Sequence, residues 1–181
     1  MTPLQIPEVK LLRRNKFSDS RGFFCEIFTR TMYPAIDFVQ DNLSMSAKVG
    51  TVRGLHYQDP PHAQTKLVTV MRGAVFDVAV DIRKRSPTFG RWVGVELNEG
   101  ELNQLLVPAG FAHGFCTLEP ETMVLYKVDA YYAPLHDRGI LWNDPALGIS
   151  WPVKPAEAVV SDKDKKLPLL SAIDSPFVYD H

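Results

Sequence analysis

The amino-acid sequence predicts an all-β protein, an antiparallel sandwich or barrel with only a few short helices. Three observations carry that reading. Several segments place apolar residues at every second position, as a strand with two different faces requires. Turn signals containing glycine or proline separate these segments at intervals of about ten residues. A helical period of about 3.6 residues is nearly absent, and its candidates are broken or polar.

Taken in order, residues 28–38 can form at most a short helix, because Pro34 interrupts the run. A strand is expected at Gly54-Leu55-His56-Tyr57-Gln58, with His56 and Gln58 on one face and Leu55 and Tyr57 on the other. Residues 67–71, 75–82, 92–97 and 123–128 read as further strands. In the second of these, Phe76, Val78, Val80 and Ile82 share one face, while Asp77, Ala79 and Asp81 share the other. Arg72-Gly73, Ser86-Pro87, Asn98-Glu99-Gly100, Glu119-Pro120 and Ala133-Pro134 punctuate the series. Residues 156–170 are polar, with a turn of helix expected near Ser161-Asp162-Lys163-Asp164. The tail after Leu170 reads as loop or a closing strand.

The 181 residues fit one domain, residues 1–181, long enough to bury a core. With 45% hydrophobic and 23% charged residues, the chain falls in the ordinary globular class. A net charge of -1 argues against general binding to nucleic acid, which needs a basic excess. Met1 to Asn15 carries no apolar stretch of the kind a leader needs, and no segment is long enough to span a bilayer, so the expected location is the cytoplasm. Cys25 and Cys116 lie far apart with no CxxC, and read as buried reduced thiols.

Two histidines follow glycine and apolar residues: Arg53-Gly54-Leu55-His56-Tyr57-Gln58 and Pro108-Ala109-Gly110-Phe111-Ala112-His113. Such a pair suits either a metal or proton transfer beside a carbonyl. The second segment resembles the PxGxxH motif of the cupins, in which proline ends a strand, glycine turns the chain and histidine begins the next strand. The first cupin motif supplies HxH and a downstream Glu, whereas this chain has His56-Tyr57-Gln58. His62 is offset by Asp59-Pro60-Pro61 and cannot share the strand face. Transition metals need about three well-placed protein ligands, so the set is incomplete and proton chemistry is the favoured reading.

Over nearly its whole length the chain resembles the dTDP-4-dehydrorhamnose 3,5-epimerase family. The resemblance runs in order through Asp19-Ser20-Arg21-Gly22-Phe23-Phe24 with Glu26, Phe38-Val39-Gln40-Asp41-Asn42, Arg53 to Gln58, Gln64-Thr65-Lys66-Leu67-Val68, Phe76 to Arg83, Gly110 to Phe115, Leu125-Tyr126-Lys127, Trp142-Asn143-Asp144 and Ser161-Asp162-Lys163-Asp164. It implies a cupin-type jelly roll, acting as a homodimer without cofactor or metal. The implied substrate is dTDP-4-dehydro-6-deoxy-D-glucose, inverted at C3 and C5 to give dTDP-4-dehydro-L-rhamnose. Both carbons flank the C4 ketone, so the chemistry needs a base on one face, an acid on the other and a donor or cation at O4.

The resemblance assigns His56 as base, Asp164 as its orienting partner, Tyr126 as acid, and Lys66 with His113 at the ketone oxygen. Arg21, Arg53 and Lys163 are implied for the pyrophosphate and sugar hydroxyls, for which guanidinium forks are suited. Glu26, Gln40, Asp41 and Asn42 are implied for the base and deoxyribose, partly from the other subunit. Tyr132 matches an aromatic that stacks on thymine. Read alone, each has a plainer use: Asp164 a solvated residue in a charge run, Tyr126 a core aromatic, Lys66 a sheet-edge lysine, Tyr132 an amphipathic surface residue. One departure stands out, Asp137 where many members carry Glu before the Gly-Ile-x-Trp segment. A sibling that epimerises only C3 or C5, a metal-dependent cupin oxygenase and a purely sugar-binding cupin are the alternatives.

Overall fold

The computed structural model of the protein describes residues 2–180. Two sheets face each other, as the sequence predicts. The first runs in the order β1 (Thr2–Pro3), β2 (Lys10–Leu12), β10 (Gln104–Val107), β7 (Lys66–Arg72), β12 (Thr122–Val128) and β5 (Gln40–Ser46). The second runs β13 (Asp137–Gly139), β6 (Thr51–Gln58), β11 (Phe111–Thr117), β8 (Ala74–Asp81) and β9 (Trp92–Asn98), with β14 (Val159–Val160) parallel to β6. A separate hairpin pairs β3 (Lys16–Asp19) with β4 (Gly22–Cys25). No α-helix occurs among the described residues. The two helical expectations resolve as single 3-10 turns, Arg30–Met32 before Pro34 and Asp164–Lys166. The tail forms a 3-10 turn at Leu170–Ala172 and one bridge, Lys84 to Val178, rather than a strand.

Every second residue of the facing strands points between the sheets. Val68 and Val70 of β7, Leu105 and Val107 of β10 and Val124 of β12 pack there against Val75 and Ala79 of β8, Val93 and Leu97 of β9, and Phe111 and Phe115 of β11. The outer faces are covered as well. Leu55 and Tyr57 of β6 and Val78 and Val80 of β8 pack beneath Ile140 and Leu147, with Trp151, Leu170 and Phe177 over them. Leu12, Leu67 and Leu106 pack beneath Tyr33, with Phe28, Met32 and Phe38. Burial on both faces explains why strands 67–71 and 75–82 are apolar enough to read directly.

The inner layer changes character across the sandwich, and that change positions the site. Toward β9 and β10 it is aliphatic. Toward the other edge it is polar: Gln40, Asn42 and Ser44 of β5, Tyr126 of β12 and Lys66 of β7 face Gln58 and His56 of β6, His113 of β11 and Asp77 of β8. The pairings Tyr126 to Asn42, Tyr126 to Val68, His113 to His56 and Phe115 to Asp77 fix these residues on inner faces. β5 was not legible as a strand because its pattern is inverted, with Leu43 and Met45 60% and 56% exposed on the outer face.

At the far end a buried ion cluster ties the chain's ends to this frame. Asp81, fully buried, accepts hydrogen bonds from Arg83 Nη2 at 2.7 Å, Ser86 Oγ at 2.6 Å and Thr88 Oγ1 at 2.6 Å. Arg83 also donates to Glu8 at 2.8 Å and lies over the rings of Phe111 and Tyr179. Burial alone pushes the Asp81 carboxyl up, but Arg83 and the two hydroxyls outweigh it and hold it below its ordinary value. The Asp81 contribution to stability is therefore complete above the ordinary value of 3.8 and lost as pH falls through the lower folded value. Asp81→Asn is expected to cost about 1–3 kcal/mol in urea unfolding at neutral pH, because it weakens charged hydrogen bonds to the mostly buried Arg83 guanidinium and leaves Glu8 as its remaining carboxylate partner among the described residues. The same variant should lose part of the acid dependence of stability, and an unchanged acid limb would contradict this role.

Candidate active site

The site is built where β6 and β11 approach unusually closely. A Cβ on Gly54, whose φ is +123°, would meet Gly114 Cα at 2.6 Å and the His113 carbonyl at 2.8 Å. A Cβ on Gly114 would meet the Arg53 carbonyl at 2.6 Å. Only glycine fits on both sides of this crossing. The register shifts here: His113 pairs with His56, but Phe115 pairs with Arg53, so β6 carries one extra residue. This bulge brings Arg53 to the inner face beside His56, which simple alternation does not predict.

Behind His56 the 3-10 turn at residues 164–166 presents Asp164. Its Oδ1 lies 2.7 Å from His56 Nε2, and its Oδ2 accepts the Gly54 amide at 3.3 Å. The Asp164 amide donates to Ser161 Oγ at 3.0 Å, and β14 fixes this strap beside β6. Burial raises the Asp164 carboxyl, but the His56 hydrogen bond and charge, the Gly54 amide and Ser161 together keep it below the ordinary range. An ionised carboxylate only accepts, so His56 Nε2 carries the hydrogen and Nδ1 is the basic nitrogen of the neutral ring.

Three groups meet His56 from the opposite sheet and from β11. Lys66, buried at the start of β7, donates from Nζ to the His56 carbonyl at 3.2 Å. Burial drives its ammonium down to about 8, against the pull of Asp137 and Asp77. Tyr126 carries a phenol raised above its ordinary value, mainly by burial. His113 Nε2 lies 2.8 Å from Oδ1 of the fully buried Asp77, whose Oδ2 has no hydrogen-bond partner among the described residues.

These side chains line a cleft of two chambers. The larger, about 490 Å³, is bordered by Ser44, Arg53, His113, Phe115, Lys163 and Asp164, and the smaller, about 200 Å³, by Gln40, Asn42, Gln58, Gln64, Tyr132 and Asp137. His56, Lys66 and Tyr126 border both and mark the waist. At the mouth Asp137 pairs with Lys163, which raises the lysine, and accepts the Tyr132 hydroxyl at 3.3 Å. Arg53 donates to Ser46 Oγ and the Met45 carbonyl. A hollow of about 680 Å³ beside Phe76 and Trp92 offers Arg91 but no acid or base. Among the described residues no group of three or more His, Cys, Asp or Glu is arranged to hold a metal ion.

Not every expected residue reaches the cleft. Asp41 lies on the outer face of β5, opposite Gln40 and Asn42, and pairs with Lys127 at 2.7 Å. Arg21, in the β3–β4 hairpin, pairs with Asp19, and Glu26 is exposed just after the hairpin; neither borders either chamber of this chain. Ser44, Gln58, Gln64 and Phe115 border the cleft and Asp77 holds His113 there, although none of them was expected as a site residue. Asp77 and Phe115 stood in quoted motifs, and only the strand register shows them facing inward. Cys116 is buried, its thiol pushed up to about 11, while Cys25 is half-buried.

Comparison with known proteins agrees over nearly the whole chain. The family model for dTDP-4-dehydrorhamnose 3,5-epimerase matches residues 3–172. The chain is 52% identical over 180 residues to the dTDP-4-dehydrorhamnose 3,5-epimerase of Sinorhizobium fredii strain NGR234, covering 97% of this chain and 92% of that protein. It superposes on the dTDP-4-dehydrorhamnose 3,5-epimerase of Bacillus anthracis, solved with TDP and PPi bound, with a TM-score of 0.88, 53% identity and coverage of 92% and 96%. On the dTDP-6-deoxy-D-glucose-3,5-epimerase of Legionella pneumophila, solved with dTDP-4-keto-L-rhamnose, the TM-score is 0.94 at 43% identity, covering 99% of this chain and 97% of that one.

The glycine crossing gives a direct test. Gly114→Ala is expected to cost about 1–3 kcal/mol, as overpacking does. Nitrogen NMR of the imidazoles should show His56 losing its single-tautomer signature as β6 moves from Asp164. Unchanged His56 shifts in a destabilised variant would separate the crossing from the pair.

Proposed function

The chain belongs to the dTDP-4-dehydrorhamnose 3,5-epimerase family, and we propose that it performs this reaction by enolate chemistry at the waist of the cleft. The observation that carries the proposal is the meeting of His56, Lys66 and Tyr126 there, with Asp164 behind His56. The proposed substrate is dTDP-4-dehydro-6-deoxy-D-glucose. His56 Nδ1 takes the proton from a carbon next to the C4 ketone, and the electron pair moves to O4. Lys66 as ammonium stabilises that oxygen, in a low-dielectric site where such contacts are strong, and His113, whose Nε2 is held by Asp77, donates to it from Nδ1 only as imidazolium. Tyr126 returns a proton to the opposite face of the same carbon, inverting it. Repetition at the second carbon gives the L-rhamno configuration. Each cycle removes one proton and adds one, and before the second carbon reacts His56 releases its proton to solvent and Tyr126 takes one up, so the balance requires neither oxidant nor reductant.

Asp164 acts through His56: it fixes the tautomer and stabilises the imidazolium formed on proton transfer. Arg53 and Lys163 suit the diphosphate, with Lys163 leaving Asp137 to meet it. Tyr132 offers a face to the thymine ring, and Gln40 and Asn42 offer it hydrogen bonds. Arg21 and Glu26 lie outside this chain's own cleft, and Phe17, Phe23, Phe24, Leu43 and Met45 are all more than half exposed. Leu43 and Met45 share the outer face of β5, and exposed apolar groups of this kind favour a second copy. We therefore propose a homodimer in which Arg21 and Glu26 of the partner subunit complete the nucleotide end.

Three experiments test these roles. His56→Ala should abolish product and the exchange of substrate protons with solvent deuterium, whereas Tyr126→Phe should retain exchange and lose inversion by about 10²–10⁴-fold. Full inversion by Tyr126→Phe would remove Tyr126 as the acid. Because Lys66 must be charged, kcat/KM should fall as pH rises above about 8, and Lys66→Arg should move that limb upward. An unmoved limb would assign it to another group. Leu43→Glu should give a monomer by light scattering with weaker dTDP binding, and an unchanged particle mass would refute the interface.

A further inference from the structure

Residues 130–133 lie between β12 and the 3-10 turn at Pro134–His136, outside any strand or helix. They present Tyr132, which is 55% exposed and whose hydroxyl donates to Asp137. The backbone that carries the ring is held by side-chain amides at four consecutive residues. Gln64 Nε2 donates to the Ala130 carbonyl at 2.8 Å. Gln58 Nε2 donates to the Tyr131 carbonyl at 3.2 Å, Gln40 Oε1 accepts the Tyr132 amide at 3.0 Å, and Gln58 Oε1 accepts the Ala133 amide at 2.8 Å.

Gln58 is the centre of this arrangement. It is 3% exposed, and every bond it makes is to backbone, including one to the His62 carbonyl at 2.7 Å. It grips the chain on both sides of Tyr132, donating before it and accepting after it. Only an amide does both at once; a carboxylate of the same shape cannot donate to the two carbonyls. Loss of either half leaves part-buried backbone groups without their protein partner.

We propose that Gln58 is a positioning residue that sets affinity for the nucleobase by fixing the Tyr131–Ala133 backbone before the ligand arrives. The proposal rests on the reading of Tyr132 as the aromatic that meets the base. A loop already ordered in the free protein spares the ligand the cost of ordering it, and that saving appears as affinity. Gln58 thereby contributes to selection for a nucleoside diphosphate sugar over a plain sugar phosphate without touching the base.

The test is calorimetric titration with dTDP of wild type, Gln58→Glu, Gln58→Met, Tyr132→Ala and the Gln58→Glu/Tyr132→Ala double variant. Gln58→Glu and Gln58→Met should each weaken dTDP by about tenfold, with the larger part of any kinetic loss in KM rather than kcat. The double variant should bind no more weakly than Tyr132→Ala alone, because residues acting through one another are not additive. Amide exchange at Ala133 should quicken in both Gln58 variants. Wild-type dTDP affinity in both Gln58 variants, or losses that add fully to that of Tyr132→Ala, would overturn the proposal. Wild-type affinity in Tyr132→Ala would instead overturn the reading of Tyr132 itself, and the inference with it; the single variants therefore tell the two failures apart.

Discussion

The hydrogen bond between His56 Nε2 and Asp164 Oδ1, 2.7 Å long and spanning 108 residues of sequence, is the contact around which the inner face of the cleft is arranged. It requires a strand from the first third of the chain and a strap from its last quarter to meet within hydrogen-bond reach. Gly54 and Gly114 allow β6 and β11 to close up, and the Gly54 amide itself reaches Asp164. Ser161 and the short β14 hold the strap. The apolar covering of the outer face by Ile140, Leu147, Leu170 and Phe177 supplies the burial that keeps the last third of the chain in place. Apolar packing on that outer face and the proton chemistry proposed for the inner face therefore share the same strand.

The same sandwich serves two opposed demands. Its aliphatic half provides the hydrophobic stabilisation that a chain of this size needs. Its polar half buries Lys66, His113, Asp77 and Asp164, groups that lower stability unless paired. Three are paired across strands, and the cost that remains is visible in Lys66, whose ammonium is held only to about 8. Chemistry at a carbon beside a ketone gains from this placement. A cation in a low-dielectric waist stabilises an enolate oxygen more strongly than the same cation in water.

Much of this was legible in the sequence, for identifiable reasons. Strands 67–71, 75–82, 92–97 and 123–128 could be read because their apolar residues are buried in regular register. The face shared by His56 and Gln58 followed from alternation, and both border the cleft. β5 was hidden because its inner face is polar and its outer face carries Leu43 and Met45. Arg53 reaches the inner face only through a bulge, which periodicity cannot reveal. Asp164 sits among alternating charges, and nothing local separates it from Asp162; only the fold buries one and leaves the other in solvent. Asp41 shows the reverse, since its neighbours Gln40 and Asn42 enter the cleft while alternation turns it outward to Lys127. Arg21 and Glu26 have no place in a cleft built from one chain, which makes the second copy a question of function as well as of assembly.

The central claim is that one cleft, with one base and one acid, carries out both inversions. It is tested most directly by incubating the wild-type protein with dTDP-4-dehydro-6-deoxy-D-glucose in D2O and following the sugar by proton NMR. Deuterium is expected at both C3 and C5 and, after trapping, a product of L-rhamno configuration. Deuterium at one carbon alone would contradict double epimerisation, and no exchange at either would contradict His56 as the base for this substrate.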